Sequence, residues 1–306
     1  MDDNSCSSNV FVRLKDLMGI NFYSRKFYFA DSTLDRAEFV LWGLPWDCTA
    51  SYQTGSRFAP QVLRNAFEAV ESYSPYCGKD LQDLNIYDAG DAELPFGDTG
   101  KTLNLIRGQS KKFLSDSKKL ITIGGEHLLS YPVIESYYKA YGEQLHILHL
   151  DAHCDLREEY LGVKFSHATV MYLVRGLIGS ENMSHFFIRS GSREEWQLLT
   201  ESVHRHCLCY PYGRQKIDEI DPGYLRSKKL YLSIDLDVFD PAVMPGTGVA
   251  DAGGIFFDDF LQFLDLLDGC GIVGCDLMEM VPEVDPSGVS AVTTAKILRE
   301  TILRMT

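Results

Sequence analysis

The residues with the clearest capacity for chemistry are Asp151, His153 and Asp155, in the run Asp151-Ala152-His153-Cys154-Asp155. They follow an apolar stretch, residues 145–150, with the length and composition of a buried strand. Alternate side chains on an extended backbone share a face, so these two carboxylates and one imidazole point one way, and Ala152 and Cys154 the other. Anions crowded at a strand end are costly to bury unpaired. A bound cation removes that cost; the alternative is a solvated loop. Two more apolar runs end in the same kind of group. Residues 120–123 lead into Gly124-Gly125-Glu126-His127, and residues 230–235 end in Asp235, with Asp237 two positions on. Four carboxylates and two neutral imidazoles carry −4, which two divalent cations balance. Oxygen-rich ligation with imidazole suits Mn²⁺ ahead of Fe, Co, Ni or Zn. Two such ions supply hydroxide near neutral pH.

Two further residues have candidate roles. Glu279 closes the strand-like run 271–279 and is not needed as a ligand, so it is available to pair with a cationic substrate, most strongly a planar guanidinium. Its alternative is to cap the following loop. His167, in Phe165-Ser166-His167-Ala168-Thr169, is placed to transfer a proton, or else is a buried, hydrogen-bonded histidine. The other histidines read as structural. His146 and His149 fall inside the apolar strand, His149 with the parity of Asp151 but set back, while His185, His204 and His206 lie away from the ligand-bearing ends.

These residues need a scaffold that brings strand ends together. Further strands are expected at 38–43, 85–88, 185–190 and 206–210. Helices are expected from Pro60, at 103–114, at 130–141 capped by Ser130, and at 169–178, 192–202, 217–225, 258–267 and 289–305. Such alternation implies an α/β fold, a three-layer α/β/α arrangement around a mainly parallel sheet. Sites in these folds lie beyond the carboxyl ends of the strands. Residues 35–306 read as one catalytic domain, and residues 1–34 as an arm packed on the core.

Composition bounds the partners. The chain has 306 residues, 45% hydrophobic and 24% charged, and a net charge of −14, which argues against nucleic acid or an anionic membrane and suits a cationic ligand. No apolar run approaches the roughly 20 residues that span a bilayer. The acidic start, Met1-Asp2-Asp3, lacks the features of a signal peptide, which points to the cytoplasm. Eight scattered cysteines, Cys207 and Cys209 among them, read as reduced thiols.

Gly124-Gly125-Glu126-His127, Asp151 to Asp155 and Ser233-Ile234-Asp235-Leu236-Asp237 running on to Pro241 together resemble the ureohydrolases, the arginase and agmatinase family. The resemblance covers roughly residues 35–305. The stretches 51–58, 71–74, 88–91 and 281–288 look most like bacterial or archaeal agmatinases. The resemblance implies a binuclear manganese centre, with His127 and Asp155 on one ion, His153 and Asp237 on the other, and Asp151 and Asp235 bridging. It implies His167 as proton shuttle, Glu279 as guanidinium anchor, and Asp155 as a second proton carrier. It also implies a homo-oligomer, trimer or hexamer, and hydrolysis of agmatine to putrescine and urea. Arginase or guanidinobutyrase activity is the alternative within the family, with the loop 156–166 deciding. A non-catalytic scaffold or a single-zinc deacetylase is the alternative outside it. Many relatives carry Gly after the His167 position, where this chain has Ala168.

Overall fold

The computed structural model describes residues 26–201 and 222–306. The strand expected at 206–210, with His204, His206, Cys207 and Cys209, lies outside the described residues, as does most of the N-terminal arm. In chain order the strands are β1 (Phe39–Gly43), β2 (Tyr73–Ser74), β3 (Lys79–Asp80), β4 (Ile86–Asp91), β5 (Lys119–Ile123), β6 (Leu145–Leu150), β7 (Met183–Phe186), β8 (Lys229–Asp235) and β9 (Gly271–Met278). Apart from the small antiparallel ribbon β2–β3, they form one seven-stranded sheet in the order β4-β1-β5-β9-β8-β6-β7. Every neighbouring pair in it is parallel.

Parallel strands need long crossovers, and helices supply them. These are α1 (Ala59–Ala66), α2 (Thr99–Ser115), α3 (Ser130–Tyr141), α4 (Val170–Ile178), α5 (Arg193–Glu201), α6 (Pro222–Arg226), α7 (Phe257–Leu266) and α8 (Val289–Arg304). The two-residue period of the strands divides the apolar side chains between two cores. Phe39, Leu41, Ile121, Leu148 and Leu232 pack with α1, α7 and α8 on one face. Val40, Trp42, Leu120, Ile147 and Tyr231 pack with α2, α3 and α4 on the other. A sheet covered on both faces explains the near-continuous apolar strands. Truncating a fully buried residue such as Leu148 to Ala would cost about 2–5 kcal/mol.

Some boundaries differ from expectation. β4 runs on to Asp91, because Gly90 adopts φ 76° where the register against β1 shifts. β7 ends at Phe186, since Phe187 at φ 69° leaves the extended region. Ser130 stands inside α3 and does not cap it, because a 3₁₀ turn, His127–Leu129, leads directly into the helix. Phe27 and Phe29, just before β1, are buried in the α1-side core.

Candidate metal centre and cleft

β5, β9, β8 and β6 stand side by side at the middle of the sheet, and being parallel they open at one edge. β5 reaches that edge through Gly124 and Gly125, at φ 76° and 81°. A Cβ on Gly125 would stand 2.3 Å from the Leu44 carbonyl oxygen, so the turn demands glycine for both dihedral and space. The turn delivers His127. β6 delivers Asp151, His153 and Asp155; β8 delivers Asp235 and Asp237; β9 delivers Glu279.

The His127 Nδ1 faces three carboxylates, 3.2 Å from Asp151 Oδ2, 3.1 Å from Asp155 Oδ2 and 3.4 Å from Asp235 Oδ2. It is buried and makes no hydrogen bond among the described residues. Its tautomer follows from the other side of the ring. The Ser233 hydroxyl donates to Asp276 Oδ1 at 2.9 Å, so its oxygen accepts from His127 Nε2, also at 2.9 Å. In the neutral ring the Nδ1 lone pair therefore points at three anions. A cation among them satisfies all four groups at once.

A second group adjoins the first. The His153 Nδ1 lies 2.8 Å from Asp237 Oδ2 and 3.6 Å from Asp151 Oδ1. Asp237 is aimed by the Ala152 N–H, which donates to its Oδ1 at 3.0 Å, and Asp235 Oδ1 accepts the Asp237 N–H at 2.9 Å. Two sets of potential ligand atoms each lie within 4.8 Å of one another: His127, His149, Asp151 and Asp155, and Asp151, His153 and Asp237. Asp151 belongs to both.

Strand parity alone does not place Asp155. β6 ends at Leu150, and Asp155 turns toward His127 because its φ is 53°. Cys154 goes into the α2-side core. Glu279 likewise leaves β9 at φ 68°. Non-glycine residues rarely adopt such angles, and the strain is of order 1–3 kcal/mol each.

The charges answer to this crowding. Burial would lower the His127 imidazole, but Asp151, Asp155 and Asp235 outweigh it and hold it well above its ordinary value. Burial, then the Asp237 and Asp151 carboxylates, push Asp235 well above the usual carboxylate range. Enclosure and the neighbouring Glu126 push Glu279 well up. Burial raises Glu126 itself to about 8, against the two hydrogen bonds it accepts from Thr49. Burial also lowers the His167 imidazole. Metal-free, the site holds protons where cations fit.

Beside the cluster is a cleft of about 330 Å³, lined among others by His153, Asp155, Arg157, Tyr160, His167 and Glu279. Glu279 Oε1 accepts the His127 N–H at 2.7 Å. The His167 N–H donates to Thr49 Oγ1 at 3.2 Å, and its Nε2 lies 3.3 Å from Ser51 Oγ. The ring of Tyr160 meets that of His167 edge to face, and the Arg157 guanidinium lies 5.0 Å over the Tyr160 ring. Arg157 Nε is 3.4 Å from Glu195 Oε2, and Glu195 is buried.

Sequence reasoning missed several of these supports. Thr49 and Glu126 carry no motif linking residues so far apart in the chain. Asp276 did leave a signal, as a lone acid within an apolar strand that must find partners; it has Tyr231 and Ser233. His185 was expected away from the ligand-bearing ends. Its Nδ1 lies 2.9 Å from His149 Nδ1, and His149 Nε2 lies 2.8 Å from Asp151 Oδ2, so both stand directly behind the cluster.

A parallel α/β/α sheet with a histidine–aspartate cluster at its carboxyl edge has the architecture of a metal-dependent hydrolase. Comparison with known proteins makes this specific. The model of the arginase family matches residues 37–303. The chain is 39% identical to an agmatinase of Halalkalibacterium halodurans over 287 residues, 92% of this chain and 97% of that one. It is 40% identical to an agmatinase of Bacillus subtilis over 284 residues, with the same coverage. The crystal structure of agmatine ureohydrolase of Thermoplasma volcanium superposes with a TM-score of 0.82 at 28% identity, covering 95% of this chain and 97% of that one. The chain belongs to the arginase family. It is a hydrolase acting on the C–N bond of a guanidino group.

Proposed function

We propose that the chain hydrolyses agmatine to putrescine and urea with two Mn²⁺ ions. The observation that carries the metal reading is the buried His127 Nδ1, facing three carboxylates without a hydrogen bond. His127 and Asp155 would hold one ion, His153 and Asp237 the other, and Asp151 and Asp235 would be shared. When bound, the pair would supply a nucleophile from water near neutral pH and polarise the guanidinium.

The protein's own groups do the rest. Glu279 lies at the cleft beside the cluster, enclosed enough to hold a proton until a guanidinium's charge favours its release to solvent and leaves a charge-assisted pair. His167, kept neutral by burial, can accept a proton at Nε2 and exchange it with solvent past Ser51, which is exposed. Asp155 is near enough to the cleft to pass a proton to the leaving amine.

Agmatine is favoured over arginine by the cleft's charges and by the agmatinases this chain is similar to. Among the described cleft-lining residues the one Lys or Arg is Arg157, and it pairs with Glu195. A substrate carboxylate would have to compete with Glu195 for it. The same reading takes the protein to be a cytoplasmic homo-oligomer, trimer or hexamer, of −14 chains that repel nucleic acid and anionic membranes. No described helix is long and apolar enough to cross a membrane.

The test is urea release from agmatine, arginine and guanidinobutyrate with Mn²⁺. Agmatine should be turned over at least about tenfold better in kcat/KM than either, a difference of roughly 1.4 kcal/mol in transition-state binding. Arginine as the better substrate would refute the agmatine assignment.

A further inference from the structure

We propose that His149, backed by His185, is a positioning residue for Asp151, fixing the carboxylate common to both cation groups. The proposal rests on the metal reading above. Three observations carry it: His149 is completely buried, its Nε2 lies 2.8 Å from Asp151 Oδ2, and its Nδ1 lies 2.9 Å from His185 Nδ1.

Proton counting sets the directions. Two imidazole nitrogens 2.9 Å apart hold one proton between them. If it sits on His185, His149 is neutral and carries its own proton on Nε2. If it sits on His149, an ionised Asp151 requires a second proton on Nε2, because a bare nitrogen there would set its lone pair against the carboxylate, and the ring is then a cation. Either way His149 Nε2 bears a hydrogen, and an ionised carboxylate accepts it. A nitrogen engaged in this way has no lone pair for a metal. So His149 stands behind the cluster, although its position also brings it within reach of a cation held by His127, Asp151 and Asp155.

The consequence falls on Asp151. Its Oδ2 is held by His149 and its Oδ1 by the His153 N–H at 2.5 Å. One N–H on each oxygen leaves each with a lone pair, the arrangement a carboxylate needs to serve two cations. When His185 holds the shared proton it donates to His149 Nδ1, which fixes the neutral ring with its own hydrogen on Nε2, toward Asp151.

Calorimetric titration of metal-free protein with Mn²⁺, alongside melting of the metal-free form, tests this. In His149→Leu the Mn²⁺ affinity should fall by about 10–100-fold. In His149→Gln the side-chain amide can still donate toward Asp151, and affinity should stay within about threefold of wild type. Should His149→Leu fail to fold, His149→Asn replaces it. Its shorter amide meets His185 but not Asp151, and the same loss is expected. His185→Leu should weaken binding in the wild-type background and add nothing to His149→Leu, as for groups acting in series. Unchanged Mn²⁺ affinity in His149→Leu, with a lowered melting temperature, would show packing alone and overturn the proposal. Equal losses in His149→Leu and His149→Gln, with one ion fewer per chain, would make His149 a ligand and overturn it too. Failure of the wild type to bind Mn²⁺ would instead refute the metal reading beneath it.

Discussion

Replacing Asp235 by Asn separates what the cluster does for the fold from what it does for cations. Asn keeps the oxygen that accepts the Asp237 N–H, so local geometry is preserved. It removes a carboxylate that burial and the Asp237 and Asp151 charges make unfavourable as an anion. The metal-free variant should therefore melt no lower than the metal-free wild type. Cations reverse the order. At a hundredfold excess over Kd each bound ion adds about 2.7 kcal/mol of stability, and two add about 5 kcal/mol. With an unfolding entropy of about 2.1 cal/mol/K per residue, that raises Tm of a chain this long by about 8 °C. Asp235→Asn should gain less than about half of this. The gain also depends on pH. His127 and Asp235 both hold protons above their ordinary values in the metal-free protein, and cations must displace them. Mn²⁺ stabilisation should grow as pH rises through neutrality and shrink as it falls. Calorimetric melting with and without Mn²⁺ at several pH values reads all of this. A full gain in the variant would exclude Asp235 as a ligand. No gain in the wild type would remove the cation site, and a lower metal-free Tm in the variant would mean the carboxylate stabilises the fold by itself.

Glu279→Gln should keep Mn²⁺ content and lower kcat/KM by about 10²–10³-fold, the cost of breaking an enclosed charge pair; lost metal in this variant would move Glu279 into the ligand set. Because enclosure raises the Glu279 pKa, guanidinium inhibitors should bind wild type more tightly as pH rises, and Glu279→Gln indifferently, which inhibition constants across pH would measure. His167→Ala should lower kcat by about 10²-fold or more with metal content unchanged, and added imidazole should restore part of it. Thr49→Val removes the hydroxyl that joins Glu126 to the His167 backbone. It should lower kcat by less than His167→Ala does, and an effect as large would make the loop tie as important as the imidazole itself.

The sheet was legible because each of its central strands is an apolar run bounded by glycine or acid, and burial on both faces leaves that signature plainly. The ends of β5, β6 and β8 were legible for the same reason: charge following an apolar run stands out. What lay outside the reading was of another kind. The left-handed angles of Asp155, Phe187 and Glu279 are imposed by packing and have no composition signal. The bond between Thr49 and Glu126 and the edge-to-face contact of Tyr160 with His167 join residues whose proximity depends on the finished fold. His149 and His185 looked structural one at a time. Their relation to Asp151 follows from the pairing of β6 with β7, which places them side by side.

The position of β9 has a consequence for how the protein is made. It is the last strand in the chain, yet it lies between β5 and β8 at the centre of the sheet. Until it inserts, the two halves of the sheet have no shared strand, and His127 on one half is separated from Asp151, Asp155 and Asp235 on the other. Such late, long-range pairing is entropically slow. A growing chain passes through a stage in which it has most of its hydrophobic layers but no assembled cluster. Its four acids, all carried at the ends of β6 and β8, already stand together on one half, and the keystone strand brings His127 to them.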